Sequence, residues 1–383
     1  MIKHIFSGGV LNLISFFFTF ITSFIVVRIL EPNEIIDYYR FIALVSWGSL
    51  AMIAVNNYGI IMVSAENSTF NKVYILLIQL VFSLIYFCVL RWFWPESPLI
   101  LFIFSLLNFI SLEWVFIAEN RPAVLITGNS VNRIFVLIVL LFVYTNNIDI
   151  RAADLIQVLV FGFALNFVIL LSKSNITDYK VDLGSFREII VFVGKTVPFY
   201  LLHGQIFNYV LMFYPFKEQD AGLVIYSRLV VIAVGFVTSL SHFTMPIFNN
   251  SRDNSGIFWK GLIITLSTSS LIVILLLFFH KPVEYIFLDE NVVGPIHRII
   301  FSAVIIFYPI YNYFVVNHYI VKKVTNKLLI PLLLLILPII VMDKLKLDAI
   351  APYMWIAFCF CILSLVFLYN RKRSMADWIK SFY

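Results

Sequence analysis

The sequence predicts an all-α polytopic membrane protein with about twelve transmembrane helices in two six-helix bundles around a central cavity. Of its 383 residues, 62% are hydrophobic and 13% are charged, whereas an average soluble domain has about 45–50% and about 25%. The apolar residues form continuous runs, each long enough for a helical span of roughly 20 residues. The longest loop on the predicted cytoplasmic side divides these runs equally.

Each predicted span is bounded by charged residues, prolines or asparagines. In chain order the spans are 9–30, 40–64, 73–94, 98–117, 124–145, 153–172, 188–213, 221–247, 258–280, 296–320, 327–341 and 349–369. The run 327–341 is short and contains two prolines, so ten or eleven spans are the alternative count. The loop between the sixth and seventh spans gives an N-terminal bundle (1–172), a linker (173–187) and a C-terminal bundle (188–383).

The loop charges orient the chain in the membrane. An even number of spans places both termini on one side, and taking that side as cytoplasmic gives it about twice as many lysines and arginines as the opposite side. Acidic residues show the opposite bias, with Glu31, Glu34 and Asp37 together in one outer loop. We therefore expect a multi-pass protein of a bacterial inner (cytoplasmic) membrane, with both termini cytoplasmic.

Charged residues inside the spans carry most of the functional information, because a charge at the centre of a span costs about 2.5–3.5 kcal/mol even on the insertion scale. Five are basic and one is acidic: Arg28, Arg40, Arg133, Lys195, Arg228 and Glu113. Arg28 and Arg40 lie near outer helix ends, where interfacial anchoring or pairing with nearby acids explains them. They are kept as candidate cavity or interfacial groups, together with His203 of the seventh span.

Arg133 lies about nine residues, or roughly 13 Å, inside its span, and Asn129 stands one turn before it on the same face. Lys195 and Arg228 lie about 10 Å inside spans of the second half. These four residues are the predicted substrate-binding set of a cationic cavity, which would attract an anionic, phosphate-bearing substrate.

Glu113 leaves two interpretations open. It is either the structural counter-charge of Arg133 on the neighbouring span or a titrating carboxylate that couples transport to an ion.

Several function classes are disfavoured. The sequence has no Walker A motif and no dinucleotide fingerprint, and it has no His/Cys cluster with metal-ligand spacing, so no cofactor and no metal are expected. Loops on the outer side are too short to build the site of an enzyme acting on a lipid-linked sugar. The sequence therefore predicts a protein that is not an enzyme and does not bind nucleic acid.

Two motif regions resemble the polysaccharide-exporter branch of the MOP (multidrug, oligosaccharidyl-lipid, polysaccharide) superfamily, particularly Wzx-type O-antigen flippases. The first is Arg28-Ile29-Leu30-Glu31-Pro32 with the acidic turn that follows, where Glu31 and Ile36 replace glycines usual in that family. The second is Gly194-Lys195-Thr196-Val197-Pro198, which resembles the family's Gly-x-x-x-Pro start of the second half.

This resemblance implies alternating access and a substrate, an oligosaccharide repeat unit on undecaprenyl diphosphate, moved between membrane leaflets for O-antigen, lipopolysaccharide or related polysaccharide biosynthesis. It also implies membrane lipids, a polysaccharide polymerase and a chain-length regulator as partners. Two alternatives stay open: a MATE-like drug/cation antiporter, which would need carboxylates in its cavity, and an integral-membrane polysaccharide polymerase, which would need a large external loop.

Overall fold

The computed structural model describes most of the predicted spans. The described residues are 17–64, 72–94, 98–110, 112–118, 122–174, 183–204, 206–250, 254–288, 294–315, 329–342, 344–345 and 347–380. Within these ranges the chain is almost entirely helical and contains no strand. The predicted all-α class is confirmed.

The helices follow the predicted spans closely. In chain order they are α1 (Phe17–Ile29), α2 (Pro32–Ser64), α3 (Lys72–Phe93), α4 (Pro98–Phe109), α5 (Glu113–Ala118), α6 (Pro122–Thr145), α7 (Ala152–Lys173), α8 (Leu183–Gly204), α9 (Ile206–Phe213), α10 (Ala221–Asn250), α11 (Asn254–Phe278), α12 (His280–Leu288), α13 (Pro295–Phe314), α14 (Leu329–Met342) and α15 (Ala351–Lys380). The weakest predicted span, 327–341, is helical as α14.

Proline marks the start of α2, α4, α6 and α13, at Pro32, Pro98, Pro122 and Pro295. A proline is tolerated in the first helical turn because it lacks only an N–H group that would have no intrahelical acceptor there. The same residues stand in the short polar breaks of the sequence, and so the predicted and observed helix starts agree to within a few residues at most of them.

The fourth predicted span is not one helix, which corrects the continuous run 98–117. It consists of α4 and α5, and Leu112 lies between them in a non-helical conformation. The break places Glu113 in the first turn of α5. A carboxylate is favourable there because the N-terminus of a helix carries a partial positive charge.

The chain forms two compact units. The N-terminal unit is Ile29–Asn208, and the C-terminal unit is Tyr209–Tyr383 together with Met1–Arg28. In the N-terminal unit α2 packs against α8, α5 and α7, and α6 packs along α7. The predicted bundles 1–172 and 188–383, with the linker 173–187, stay a prediction.

Six described helices are long and apolar enough to cross a membrane by length and composition, and four shorter apolar helices accompany them. Large apolar side chains such as Phe161 and Val168 of α7 are exposed on the outer surface of the N-terminal unit, as expected for a lipid-facing surface. Polar side chains such as Gln79 and Ser83 of α3 are fully buried instead. This inside-out pattern is that of a membrane protein.

The C-terminal unit has an aromatic core around α13, whose residues 308–314 are all buried. Tyr313 and Phe314 pack with Phe258 and Trp259 of α11. The Tyr313 hydroxyl donates a hydrogen bond to the Phe258 carbonyl at 2.8 Å. Gly261 permits this contact, because a Cβ atom at that position would overlap the Tyr313 hydroxyl.

Candidate functional site

Glu113, Asn129 and Arg133 meet inside the N-terminal unit. Asn129 and Arg133 lie one turn apart on α6 and therefore share a helix face. The Glu113 side chain, at the start of α5, lies near enough to the side chains of Asn129 and Arg133 to interact electrostatically with both. The structure thus brings together three of the residues that the sequence singled out.

Asn166 of α7 belongs to the same group, although the sequence interpretation passed over it. Its Nδ2 atom donates to Oδ1 of Asn129 at 3.2 Å, and its side chain is 8% exposed. We call Glu113, Asn129, Arg133 and Asn166 the polar cluster. The available sequence signal was a single amide in the middle of a run that is otherwise apolar.

Arg228 lies on α10 in the C-terminal unit and is only 6% exposed. Its guanidinium lies near enough to the hydroxyl of Tyr353, a fully buried residue of α15, to interact with it electrostatically. A guanidinium buried among helices that cross a membrane is costly, and such groups usually face a protein interior or a water-filled path. The Arg228 side chain is therefore buried within the C-terminal unit, and its role in substrate binding stays a prediction.

The remaining candidates have different surroundings. Lys195 lies in α8, and its side chain is outside the described part of the chain. His203, near the end of α8, is buried, and its ring stacks on the ring of Phe199 with centroids 5.2 Å apart. This stacking is a packing interaction in the N-terminal unit. Convergence of Lys195 or His203 with the polar cluster stays a prediction.

Arg28 and Arg40 both have local partners. Arg28 donates from Nη2 to the backbone carbonyl of Tyr285 in α12 at 2.9 Å, and its guanidinium lies 5.9 Å from the centroid of the Phe24 ring. Arg40 pairs with Asp37 at 3.3 Å, one helical turn away. Arg28 lies at the end of α1, as expected of a basic residue at a helix end. Arg40 lies inside α2, because this helix begins at Pro32 and not at residue 40, where the predicted second span starts.

A further ion pair was missed by the sequence interpretation, because its members were counted as outer-loop charges. Arg298 Nε of α13 lies 3.0 Å from Glu284 Oε1 of α12, and the two side chains are 17% and 11% exposed. Both charged groups also interact electrostatically with the hydroxyl of Tyr226 in α10. The pair connects the short helix α12 to the body of the C-terminal unit.

Chemically, these groups suit anion recognition better than metal binding. In the described ranges no three His, Cys, Asp or Glu residues lie close enough to hold a metal ion. Guanidinium groups, in contrast, offer forked N–H donors that match phosphate oxygens. Arg133 of the N-terminal unit is partly buried near a carboxylate, and Arg228 of the C-terminal unit is buried near a tyrosine.

No protein-family model matches the sequence, and no curated protein matches it either. Solved structures do match. An inward-facing multidrug resistance MATE family transporter of the MOP superfamily has a TM-score of 0.67 at 12% identity, over 96% of this chain and 98% of that one. The lipid II flippase MurJ in its inward closed conformation has a TM-score of 0.66 at 18% identity, over 95% of this chain and 87% of that one.

A third match is a MOP superfamily transporter from Pyrococcus furiosus, described as having a binding pocket of reverse polarity. Its TM-score is 0.56 at 11% identity, over 97% of this chain and 94% of that one. At these identities the matches establish the fold. The chain has the twelve-helix fold of MOP superfamily transporters along nearly its whole length.

Proposed function

We propose that this chain, which has the fold of MOP superfamily transporters, is a flippase for an undecaprenyl-diphosphate-linked oligosaccharide of O-antigen or related polysaccharide biosynthesis. The observation that carries the proposal is the buried guanidinium of Arg228 in a helix of that fold. A membrane transporter that keeps a cation in its interior is suited to an anionic substrate, because the cation's desolvation is offset when the anion binds.

Moving a lipid-linked oligosaccharide across a bilayer requires a protein with a polar interior. An oligosaccharide headgroup cannot cross hydrocarbon unassisted, since each unpaired hydroxyl costs several kcal/mol and a diphosphate costs far more. A polar basic cavity lowers this barrier while the polyprenyl tail stays in the bilayer. Alternating access then exposes the headgroup to each leaflet in turn. One protein of the same fold is a lipid II flippase, which supports a lipid-linked substrate by analogy of fold alone.

In this proposal the polar groups have distinct roles. Arg133, Lys195 and Arg228 contact the diphosphate or acidic sugars, Asn129 hydrogen-bonds to the headgroup, and Glu113 balances or couples the charge of Arg133. Arg28, Arg40 and His203 are not required to touch the substrate. The protein lies in a bacterial inner membrane with both termini cytoplasmic, and it works beside a polysaccharide polymerase and a chain-length regulator.

The test is genetic and chemical. Deleting the gene should cause lipid-linked repeat units to accumulate on the cytoplasmic leaflet and should remove surface polysaccharide. Complementation with Arg228→Gln or Arg133→Gln should restore less than a tenth of the polysaccharide at equal membrane expression. Arg151→Gln is the matched control, because the Arg151 side chain is 77% exposed. Normal export with the buried arginines replaced contradicts the proposed site.

A second candidate, a MATE-like drug/cation antiporter, is favoured by one observation, the carboxylate of Glu113 inside the N-terminal unit. Glu113 already interacts with Arg133, so its charge is shared with a resident cation. The deletion strain separates the two functions. Drug hypersensitivity with intact glycans identifies an antiporter, whereas loss of glycans with unchanged drug sensitivity identifies the flippase.

A further inference from the structure

One face of α11 is exposed along its whole apolar length. The exposed side chains recur at helical spacing and therefore lie on one side of the helix: Ile264, Leu271, Leu275 and Phe278. The segment Phe258–Phe278 has the length and composition of a membrane span. This face therefore contacts lipid, and Phe278 lies at its end.

The exposed face continues from α11 into α12. Two backbone hydrogen bonds of helical spacing cross the break between these helices, from Phe279 N to the Leu275 carbonyl at 2.8 Å and from Val283 N to the Phe279 carbonyl at 3.1 Å. Pro282 has no N–H group to donate, which accounts for the interruption. Pro282 and Tyr285 are both exposed, so they prolong the lipid-facing side of α11.

α12 begins where the hydrocarbon ends. At about 1.5 Å per residue, the span Phe258–Phe278 matches the hydrocarbon core of a bilayer, which is about 30 Å thick. His280 and Lys281 follow directly, and Lys281 is exposed. The first turn of α12 therefore lies at the level of the lipid headgroups.

The inner side of α12 is attached to the body of the C-terminal unit. Glu284 pairs with Arg298 of α13 at 3.0 Å, and the backbone carbonyl of Tyr285 accepts a hydrogen bond from Arg28 of α1 at 2.9 Å. These two contacts determine which side of α12 faces outward. The Tyr285 side chain remains 74% exposed.

The outward edge has the composition of a membrane interface. Tyrosine, an aromatic ring with a polar tip, and lysine, a long apolar stem with a charged end, both suit the boundary between acyl chains and headgroups. Phe278 is 79% exposed, and a ring as open as this is unfavourable in water. Because the edge is continuous with the lipid-facing side of α11, phospholipid is favoured over a protein partner.

We propose that the end of α11 and α12 form an interfacial anchor that binds phospholipid. The rings of Phe278 and Tyr285 lie among the upper acyl carbons, and the Lys281 ammonium binds the lipid phosphate. Through the Glu284–Arg298 pair, the anchor fixes the depth of α13 in the membrane. This contact is independent of the substrate that the protein carries.

The test measures the depth of α12 by electron paramagnetic resonance, with the full chain in phospholipid nanodiscs. The cysteines are first replaced by serine: Cys88, Cys359 and Cys361. A spin label is then attached at Tyr285→Cys. Val168→Cys of α7 is the hydrocarbon reference, and Lys217→Cys, before α10, is the water reference; both side chains are exposed.

The readout is the ratio of collision with oxygen, which is concentrated in hydrocarbon, to collision with a water-soluble nickel complex. At Tyr285 we expect a ratio several times that of Lys217 and below that of Val168. A ratio equal to that of Lys217 places α12 in water and overturns the proposal. Low collision with both reagents means that protein covers the edge, and this overturns it too.

A charge reversal tests the headgroup contact. Lys281→Glu should be repelled by lipid phosphate and shift the Tyr285 label towards the water reference, whereas the matched reversal Lys217→Glu should leave it unchanged. An unchanged label in Lys281→Glu overturns the phosphate contact. If the cysteine-free chain does not fold, Tyr285→p-benzoylphenylalanine in the otherwise native chain should photo-crosslink to phospholipid; crosslinks to protein alone, or none, overturn the anchor.

Discussion

The ion pair between Arg298 and Glu284 allows a quantitative prediction. At 3.0 Å and an effective dielectric constant of about 20, Coulomb's law gives a gross attraction of about 5.5 kcal/mol. Desolvation of two largely buried charges offsets more than half of it, and the residual exposure of the two side chains allows some screening. We expect a net coupling of about 2 kcal/mol in the free energy of unfolding.

A double-mutant cycle measures this coupling. Glu284→Gln and Arg298→Gln should each destabilise the protein by about 2–3 kcal/mol, because each leaves the other charge without its partner. The double variant should be destabilised by about 2–4 kcal/mol, which is about 2 kcal/mol less than the sum of the two single effects. The readout is the free energy of unfolding in detergent, followed by tryptophan fluorescence, under conditions that unfold the wild type reversibly.

The reference for the cycle is the pair Arg151 and Asp154. These charges lie 3.9 Å apart with side chains 77% and 43% exposed, so their coupling should stay below about 0.5 kcal/mol. If the Glu284 and Arg298 substitutions are additive to within that value, the pair does not anchor α12 and the electrostatic reasoning is refuted.

Three further outcomes follow from other contacts. Exchanging the charges as Glu113→Arg with Arg133→Glu should restore the stability lost in either single variant but not polysaccharide export; full recovery of export would make the pair purely structural. Gly128→Ala should cost about 1–3 kcal/mol of stability, because its methyl group would overlap the Asn166 side chain of α7; an unchanged free energy of unfolding would show that the asparagine moves aside. Tyr313→Phe should cost about 1 kcal/mol of stability by removing the buried hydrogen bond from its hydroxyl to the Phe258 carbonyl, and an unchanged midpoint of thermal unfolding would show that this hydrogen bond does not contribute.

Much of the fold could be predicted because its physical cause is local. Apolar runs of span length are read directly from the sequence, and prolines such as Pro122 mark where a helix begins. The break before Glu113 could not be predicted, since no proline or glycine precedes it. The short helix that begins at Glu113 packs against α2 and α6, and these contacts depend on tertiary structure.

Part of the site could also be predicted from local patterns in the sequence. Asn129 and Arg133 share a helix face by their spacing alone, and Glu113 was the one carboxylate inside a span. Asn166 and the Glu284–Arg298 pair depend on which helices become neighbours, which no local pattern encodes. A single amide in an apolar run predicts a buried polar group, but its partner is known only once α7 is seen beside α6.

In α6 and α7 each helix has a glycine against an asparagine of the other, Gly128 against Asn166 and Gly162 against Asn132. This packing has a consequence for the connection between the two helices. The turn contains Asn147 in a left-handed conformation, with a φ of 47°, yet the two helices also approach each other closely at Gly128 and Gly162, within their apolar segments of span length. Helices that insert independently can associate through small-residue contacts. The covalent link is therefore dispensable in principle: fragments ending at Asn147 and starting at the next residue, produced together in one cell, should reassemble into a working protein.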